Sequence, residues 1–260
     1  MSRWDPDSYL RFEHERTLPS HDLVARIELP EPKAIVDIGC GPGNSTRVLR
    51  DAWPGADVVG LDNSEEMIEK AQATYPGGRW ILADAADWHT DEKFDLVFSN
   101  ATLQWIPNHE KVLHQLFDRT NGNGILAAQV PFNTDSPLLK ALLVVSESPK
   151  WRGLMIGCAE QIFYRDEAYY YGILSRLAPR VEMWMTTYFH IMQTHWNLVE
   201  WYASTGMKMY LDRIDIEDNR RLFKSEILEA CKPQYPFQKD GKILFPFQRL
   251  FFIAYKAAET

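Results

Sequence analysis

One stretch near the start of the chain constrains its fold more than any other. Residues 34–38 (Ala-Ile-Val-Asp-Ile) have the β-branched, apolar character of a buried strand, and Gly39, Gly41 and Gly43 follow at alternate positions. Glycines leave the Cβ atom off a tight turn, so the backbone can approach a ligand closely. Residues 44–49 then have the character of a first helical turn. A strand, a glycine turn and a helix in this order predict a nucleotide-binding, doubly wound α/β fold.

The spacing of the glycines narrows the kind of nucleotide. The turn has the pattern D-x-G-x-G-x-G, with Asp37 two residues before the first glycine, whereas the dinucleotide fingerprint places its third glycine one residue later. This pattern resembles motif I of the class I S-adenosylmethionine-dependent methyltransferases, and the resemblance implies S-adenosylmethionine as the cofactor. Two alternatives stay open, a nicotinamide-dependent oxidoreductase and a non-catalytic nucleotide-binding module. The oxidoreductase would also need a proton-donating Tyr/Lys or His near the nicotinamide, and none is evident.

Strands and helices alternate from residue 34 to residue 130. We predict strands at 34–39, 57–62, 79–83, 94–99 and 124–130, and helices near 44–52, 64–74 and 108–119. Such alternation implies right-handed crossovers and a mostly parallel sheet. Two later strands, at 181–190 and 243–254, are expected to pair with each other, the last one antiparallel to the sheet. The predicted fold class is therefore α/β, with a Rossmann-like, doubly wound sheet of seven strands.

We expect a single methyltransferase domain over residues 1–260. Its segments are an N-terminal helical cap (1–33), a cofactor-binding core (34–130), helical lid elements (131–180 and 191–240) and two terminal sheet strands (181–190 and 243–254). In the cap we expect a short helix that Asp7 and Ser8 would cap, and a second helix from about Ser20 to Ile27. The helices inserted between the core strands would form a lid over the acceptor pocket.

Composition excludes several classes of function. The chain carries a formal net charge of −8, which argues against a nucleic-acid partner, because such a partner usually demands a basic face. No apolar run approaches the ~18–20 residues of a membrane span, and the start is too polar for a signal peptide, so we expect a cytoplasmic protein without a membrane partner. Cys40, Cys158 and Cys231 lie far apart with no nearby histidines, so we expect neither a disulfide framework nor a metal site. The oligomeric state is not encoded in any pattern of this sequence.

A carboxylate follows the second predicted strand at the distance expected of a ribose-binding residue. Asp62 lies 19 residues beyond Gly43, close to the ~20 residues that separate a nucleotide-binding glycine turn from its ribose acceptor. Its carboxylate can accept hydrogen bonds from both ribose hydroxyls. The alternative is that Asp62 only caps the helix that begins at Ser64.

Other cofactor contacts follow from the same topology and from the resemblance. Asp84 and Ala85 would bind the adenine amino group and a ring nitrogen, unless Asp84 is only a turn carboxylate. Met67 would lie along the adenine, or else pack against the sheet. Arg16 is the candidate for the methionyl carboxylate, with an ordinary surface arginine as the alternative. The complete predicted cofactor-binding set is Arg16, Asp37, Gly39, Cys40, Gly41, Asn44, Asp62, Asn63, Met67, Asp84, Ala85, Asn100 and Ala101.

The loop after the fourth strand indicates the kind of acceptor. It begins at Asn100-Ala101 and continues through Gln104-Trp105. Enzymes of the class that methylate exocyclic amines of nucleic acids often carry an Asn/Asp-Pro-Pro-aromatic motif at this place. This chain has no prolines there, which favours a small-molecule acceptor.

Motifs spread over the whole chain resemble one family within this class, the trans-aconitate 2-methyltransferases. They are Trp4-Asp5-Pro6, Tyr9-Leu10, Glu15-Arg16, Asp37 to Thr46, Asn100-Ala101, Leu103-Gln104-Trp105, Thr186-Thr187-Tyr188 and Leu250-Phe251. The resemblance implies methyl transfer to a carboxylate of trans-aconitate, or of a closely related small polycarboxylate, to give a monomethyl ester. Another small-molecule acceptor stays open as the alternative. Periodicity and spacing alone would not have identified this substrate.

The acceptor would bind where cationic and hydrogen-bonding groups converge on its carboxylates. The candidates are Gln104, Trp105, Arg165, Tyr170, Tyr188, His190 and Lys208. Each of them is individually more typical of a surface charge or a core group. Because a carboxylate acceptor is ionised at neutral pH, we predict no catalytic side chain and no metal.

Overall fold

The fold is built on one sheet whose strands follow the predicted order along the chain. The computed structural model describes residues 12–258. The strands in this range are β1 (Ala34–Ile38), β2 (Asp57–Asp62), β3 (Arg79–Leu82), β4 (Phe94–Asn100), β5 (Thr120–Pro131), β6 (Arg180–Met192) and β7 (Ile243–Tyr255). These seven strands of the described range form one sheet in the order β3-β2-β1-β4-β5-β7-β6.

Helices connect these strands. In chain order they are α1 (Glu13–Val24), α2 (Asn44–Ala52), α3 (Glu65–Thr74), α4 (His109–Asp118), α5 (Pro137–Ser146), α6 (Glu167–Leu177), α7 (His195–Ala203), α8 (Lys208–Leu211) and α9 (Glu217–Cys231). Short 3₁₀ helices lie at Leu103–Trp105, Ala159–Gln161 and Lys232–Gln234.

The register of the strands confirms the predicted fold class. Strand β1 pairs in parallel with β2 and β4, and β4 pairs in parallel with β5. Strand β7 runs antiparallel to β5, with Gln129 opposite Phe251, and lies between β5 and β6. The central strands β1 and β4 are buried over most of their length, as expected of parallel strands that helices cover on both faces. All the parallel strands therefore end at one edge, and that edge positions the site.

The N-terminal helix differs from the prediction. A break near Ser20 was expected, whereas α1 continues through Pro19 to Val24. Proline in a helix interior removes a hydrogen bond and crowds the preceding turn. Here the buried residues of α1, which include Arg16, Pro19, Ser20 and Leu23, lie on one face, so tertiary packing of that face outweighs the local penalty. Asp7 and Ser8, the predicted caps of a shorter helix, lie outside the described residues.

The chain divides into two compact units. We call residues 12–131, Arg165–Thr186 and 249–258 the core unit, and Phe132–Tyr164 with Thr187–Gln248 the insert unit. Helix α6, which the sequence placed with the lid elements, clusters with the core unit. The lid over the acceptor stays a prediction. No helix within residues 12–258 is both long enough and apolar enough to cross a membrane.

Candidate functional site

The glycine turn after β1 adopts a backbone that requires glycine. Gly39, Gly41 and Gly43 have φ angles of 72°, 55° and 96°. A Cβ atom on Gly39 would lie 2.1 Å from Oγ1 of Thr102. At Gly41 a Cβ would meet no atom within 4 Å, so only the φ angle demands glycine there. The turn is therefore shaped by left-handed backbone and, at Gly39, by close approach of the loop that follows β4.

Asp37 fixes the helix that follows the turn. Its Oδ2 accepts hydrogen bonds from Oγ of Ser45 at 2.6 Å and from Oγ1 of Thr46 at 2.7 Å. The side chain is fully buried, and this burial raises the pKa of Asp37 to about 6 although the two hydroxyls oppose the rise. The contacts of Asp37 thus join β1 to α2, whereas the sequence assigned it to the cofactor; that direct contact stays a prediction.

Asp62 joins the end of β2 to the same turn. Its Oδ2 accepts from the backbone N–H of Gly41 at 2.9 Å, and its Oδ1 accepts from the N–H of Ser64 at 2.9 Å. Burial raises the pKa of Asp62, and these N–H groups oppose the rise. A carboxylate offers about four acceptor positions. Each oxygen can therefore accept from its backbone donor and also from a ribose hydroxyl, which fits the predicted role. The contact with Ser64 means that Asp62 also caps the following helix, so the two roles are compatible.

A cleft lies over the glycine turn, with about 310 Å³ of empty space that includes open solvent. Six members of the predicted cofactor set line it, together with four of their neighbours in the turn and on α1. The lining residues are Arg16, Thr17, Ser20, Gly39, Cys40, Gly41, Pro42, Asn44, Ser45 and Asn100. The structure therefore brings Arg16, Gly39, Cys40, Gly41, Asn44 and Asn100 of the predicted cofactor set together.

Buried polar atoms around this cleft lack partners in the protein. Oγ of Ser20, Nδ2 of Asn44 and Oδ1 of Asn100 make no hydrogen bond within residues 12–258. Buried polar atoms in native proteins are almost always paired. Two acceptors and a donor that converge on one cleft indicate a polar ligand, and an adenosyl amino acid carries both kinds of complementary group.

Arg16 lies at the α1 side of the cleft. Its side chain is 5 % exposed, so the surface-arginine alternative is wrong. Its guanidinium carbon lies 5.7 Å from the centre of the Phe12 ring. A buried guanidinium that faces a polar cleft is suited to bind a carboxylate in bidentate fashion. The assignment of Arg16 to the methionyl carboxylate stays a prediction.

The loop after β4 is held to the glycine turn. Ala101 has a φ angle of 56°, which is uncommon for a residue other than glycine. Its N–H donates to the carbonyl of Gln129 at 2.9 Å, and its carbonyl accepts from Nε2 of Gln104 at 2.6 Å. Oγ1 of Thr102 donates to the carbonyl of Gly39 at 3.3 Å. The backbone of this loop is thus fixed on both sides.

Asp84 and Ala85, predicted to bind the adenine, follow β3, and Met67, the third adenine candidate, lies on α3. Met67 and Ala85 are buried and Asp84 is half-buried. Asn63, another member of the predicted cofactor set, follows β2 and is exposed. Oδ1 of Asp84 accepts from the N–H of Ala86 at 2.9 Å, a turn contact that leaves its second oxygen for another donor. Their contact with adenine stays a prediction.

Four acceptor candidates lie in the core unit. Gln104 is 5 % exposed and Trp105 is half-buried in the 3₁₀ helix after β4. The hydroxyl of Tyr170 lies 3.0 Å from Nδ1 of His109, and both side chains are buried. Burial and then the positive charge of Arg165 lower the pKa of His109 to about 4. Arg165 and Tyr170 are therefore neighbours, and Tyr170 is part of a packed polar pair.

Three acceptor candidates lie in the insert unit. The rings of Tyr188 and His190 stack with centroids 6.3 Å apart. His190 is 4 % exposed and packs 4.6 Å from the ring of Trp201, an environment typical of a core histidine. Nζ of Lys208 binds the carboxylate of Asp212 at 2.9 Å. These contacts favour structural roles for His190 and Lys208, and their part in acceptor binding stays a prediction.

Sequence reasoning missed a buried polar pair on β5 and β7. Nη1 of Arg249 donates to Oε1 of Gln129 at 3.1 Å, and neither side chain is more than 4 % exposed. It also missed Ser20, which follows Arg16 by one helical turn and lines the same cleft. The four-residue spacing could have identified Ser20. No local signal could have identified the pair, because its members are 120 positions apart.

Comparisons with known proteins were made for the sequence and for the fold. Residues 35–124 match the family model of a methyltransferase domain. A trans-aconitate 2-methyltransferase of Rhodopseudomonas palustris (strain BisB18) is 38% identical over 98% of this chain and 100% of its own length. The enzyme of the same name from Variovorax paradoxus (strain S110) is 39% identical over 99% of this chain and 100% of its own length.

A solved structure supports the same architecture. The Haemonchus contortus phosphoethanolamine N-methyltransferase 2, in complex with S-adenosyl-L-methionine, superposes with a TM-score of 0.61 at 16% identity. The match covers 97% of this chain and 56% of that chain. At this identity the likeness concerns the fold, which is the sheet and helix arrangement described above.

Proposed function

The chain belongs to the trans-aconitate 2-methyltransferase family of class I S-adenosylmethionine-dependent methyltransferases, and from that membership we propose its reaction. It transfers a methyl group to a carboxylate of trans-aconitate, or of a closely related small polycarboxylate, and the product is a monomethyl ester. The observation that carries this proposal is similarity over the full length, since the match covers 98% of this chain and 100% of the Rhodopseudomonas relative. Similarity limited to the cofactor half would support the reaction class alone.

The residues around the cleft fit the cofactor of the family, S-adenosylmethionine. When bound, it supplies an electrophilic methyl group on a cationic sulfur. Asp62 would hold the ribose hydroxyls through its remaining acceptor positions, and Arg16 would hold the carboxylate of the methionyl tail. The unpartnered atoms of Ser20, Asn44 and Asn100 would complete the polar contacts. Asp37 would act indirectly, by holding α2 against the glycine turn.

The acceptor needs positioning more than proton transfer. A carboxylate with a reference pKa near 4 is ionised at neutral pH, so the chain need not supply a general base. Alignment of two reacting groups can contribute on the order of 7–11 kcal/mol. A general base typically contributes only about 10²–10⁴-fold in rate. The work of this chain is therefore to orient a polyanion and to exclude water from the reacting groups.

The loop after β4 is the part of the core unit best placed for that orientation. Its backbone is held to the glycine turn through Thr102, and it presents Gln104 and Trp105. Oε1 of Gln104 is buried and makes no hydrogen bond within residues 12–258, so it can accept from a ligand or a bound water. Arg165 and Tyr170 of the same unit complete the proposed acceptor set, and Tyr188, His190 and Lys208 remain candidates from the sequence alone.

Transfer of radiolabelled methyl groups tests the proposal. Purified enzyme is incubated with labelled S-adenosylmethionine and, separately, trans-aconitate, cis-aconitate, citrate and isocitrate. We expect label on trans-aconitate in a product that alkali hydrolyses to labelled methanol, because a methyl ester is alkali-labile. A labelled product whose methyl group is not released by alkali would contradict the ester chemistry. Methyl transfer to a different acceptor, with no label on any of the four acids, would contradict it as well.

A further inference from the structure

We propose that Arg249, oriented by Gln129, binds a carboxylate of the acceptor that does not receive the methyl group. This inference rests on the proposed function, and it adds a binding residue that neither the motif pattern nor the cofactor cleft identifies. Both residues belong to the core unit.

The strand register places this pair beside the cleft. Gln129 lies opposite Asn100 in the parallel β4–β5 pair, and Asn100 lines the cleft. Arg249 lies opposite Pro131, two residues beyond Gln129 on β5. Residues that pair across strands, and residues two apart along a strand, face the same side of a sheet. Asn100, Gln129 and Arg249 therefore form one row on one face.

This row lies where ligands bind in sheets of this kind. Asn100 is the last residue of β4, and Arg249 is opposite the last residue of β5. In open α/β sheets the ligand occupies the crevice beyond the carboxyl ends of the parallel strands. Asn100 contributes to the wall of the cofactor cleft, so a group bound at Arg249 would lie on the β5 and β7 side of that cleft.

The chemistry of the pair suits a carboxylate. Arg249 is 4 % exposed, and its planar guanidinium carries five N–H donors in a fixed fork. One of these donors binds Oε1 of Gln129 at 3.1 Å, which fixes the orientation of the amide. Nε2 of Gln129 is then directed away from that bond, and it makes no hydrogen bond within residues 12–258. A guanidinium and an unpartnered amide N–H, side by side and desolvated, together offer donors to the oxygens of a carboxylate.

The negative charge of the acceptor explains why a cation is needed at this position. The acceptor has three carboxylates, and the chain itself carries a formal net charge of −8. The carboxylates that do not react therefore need local positive charge to enter a buried site. Arg16, on α1, lines the cleft and is assigned to the methionyl tail. Arg249 places a buried guanidinium on β7, and it would select for acceptors with more than one carboxylate.

Two variants and a control test the inference. Arg249→Met removes the charge and retains an unbranched apolar chain. Gln129→Glu replaces the amide donor with a carboxylate that pairs with Arg249, so it keeps the buried contact and blocks the site. Arg176→Met is the control, because Arg176 pairs with Glu110 on the surface of the same unit. Melting temperature and binding of S-adenosylhomocysteine establish that each variant is folded with an intact cofactor site.

The readout is binding of the acceptor, measured by titration calorimetry with S-adenosylhomocysteine present, together with KM and kcat. We expect Arg249→Met and Gln129→Glu each to weaken trans-aconitate by about 30-fold or more, as when one partner of a buried charge pair is removed. Arg176→Met should match the wild type, and all proteins should bind S-adenosylhomocysteine equally.

Dicarboxylates identify the contact. Itaconate, mesaconate and cis-glutaconate each lack a different carboxylate of trans-aconitate. The analogue that lacks the carboxylate bound by Arg249 should bind the wild type about as weakly as trans-aconitate binds Arg249→Met. The Arg249→Met variant should bind that analogue and trans-aconitate with equal affinity.

Equal trans-aconitate affinity in Gln129→Glu and the wild type would overturn the inference while leaving the proposed function intact. Loss of S-adenosylhomocysteine binding, but not of 5′-methylthioadenosine binding, in Arg249→Met would also overturn it and would assign Arg249 to the methionyl tail. Failure of the proposed function has a different signature, in which the wild-type enzyme itself transfers no methyl group to trans-aconitate.

Discussion

Oδ2 of Asp62 accepts a hydrogen bond from the N–H of Gly41 at 2.9 Å, so the end of β2 directly supports the glycine turn that follows β1. The other oxygen of the same carboxylate accepts from Ser64 at 2.9 Å and begins α3. One side chain thus holds two backbone segments of the cofactor cleft. Any ribose contact would be added to this structural role.

Asp62→Ala should weaken the binding of S-adenosylhomocysteine by about 10- to 100-fold, because hydrogen bonds to charged groups contribute about 1.5–3 kcal/mol. Titration calorimetry measures the change. Asp57→Ala is the matched control, since Asp57 begins the same strand and its side chain is exposed. An affinity for Asp62→Ala within twofold of the wild type would contradict the ribose assignment.

Arg16→Met should weaken S-adenosylhomocysteine by about 10-fold or more through the loss of a charged hydrogen-bonded contact. It should leave the affinity for 5′-methylthioadenosine unchanged, because that ligand lacks the amino acid carboxylate. The comparison of two ligands on one variant separates a lost contact from a misfolded site. Equal losses for both ligands would show that Arg16 supports the cleft without touching the methionyl tail.

Gly39→Ala should destabilise the protein by about 2–5 kcal/mol, the sum of an overpacked contact at Thr102 and a left-handed backbone. Chemical denaturation measures this loss. The double variant Gly39→Ala/Thr102→Gly should recover the part that comes from the steric contact, and the φ angle of 72° should account for the remainder. Gly55→Ala, where a Cβ meets no atom within 4 Å, should be close to neutral. No difference between the Gly39 and Gly55 variants would refute the account of the turn.

Asp37 should make stability depend on pH. Burial raises its pKa in the folded protein from the ordinary 3.8 to about 6, so the folded state binds the proton more tightly than the unfolded state does. The contribution of this group to the free energy of unfolding is therefore fully present below pH ~4 and is lost as the pH rises to ~6, by about 3 kcal/mol at most.

Asp37→Asn isolates this effect, because the amide can still accept from Ser45 and Thr46 but does not titrate in this range. The stability of the wild type relative to Asp37→Asn should fall between pH 4 and pH 6 and stay constant from pH 6.5 to pH 8. Urea denaturation followed by tryptophan fluorescence measures the difference. A difference that is independent of pH would mean that Asp37 titrates normally.

Much of the core was predictable because its signals are local. The predicted helix at 44–52 and strand at 57–62 agree with α2 and β2, since apolar periodicity and glycine punctuation lie within each segment. The N-terminal helix was not predictable in the same way, because it continues through Pro19 only by tertiary packing of its buried face. The family resemblance supplied the proposed substrate class, and no periodicity contains that information.

The site was predictable where the chain is contiguous and unpredictable where distant strands meet. Gly39, Cys40, Gly41 and Asn44 lie in one turn, and all four line the cleft. Asp37 belongs to the same motif, but its partners are hydroxyls eight and nine residues later, so its role depends on how α2 packs. The Gln129–Arg249 pair depends on the register of β5 against β7, which no short segment encodes.

Thr102 has a consequence for how enzymes of this kind diverge. Its hydroxyl donates to the carbonyl of Gly39, and its side chain fills the space that a Cβ at Gly39 would need. A change in the backbone of the loop after β4 would therefore displace the glycine turn. Such a change would alter the affinity for the cofactor together with the choice of acceptor. New acceptor preferences should arise by exchange of side chains such as Gln104 and Trp105 on an unchanged backbone, and this loop offers a rigid template on which to engineer them.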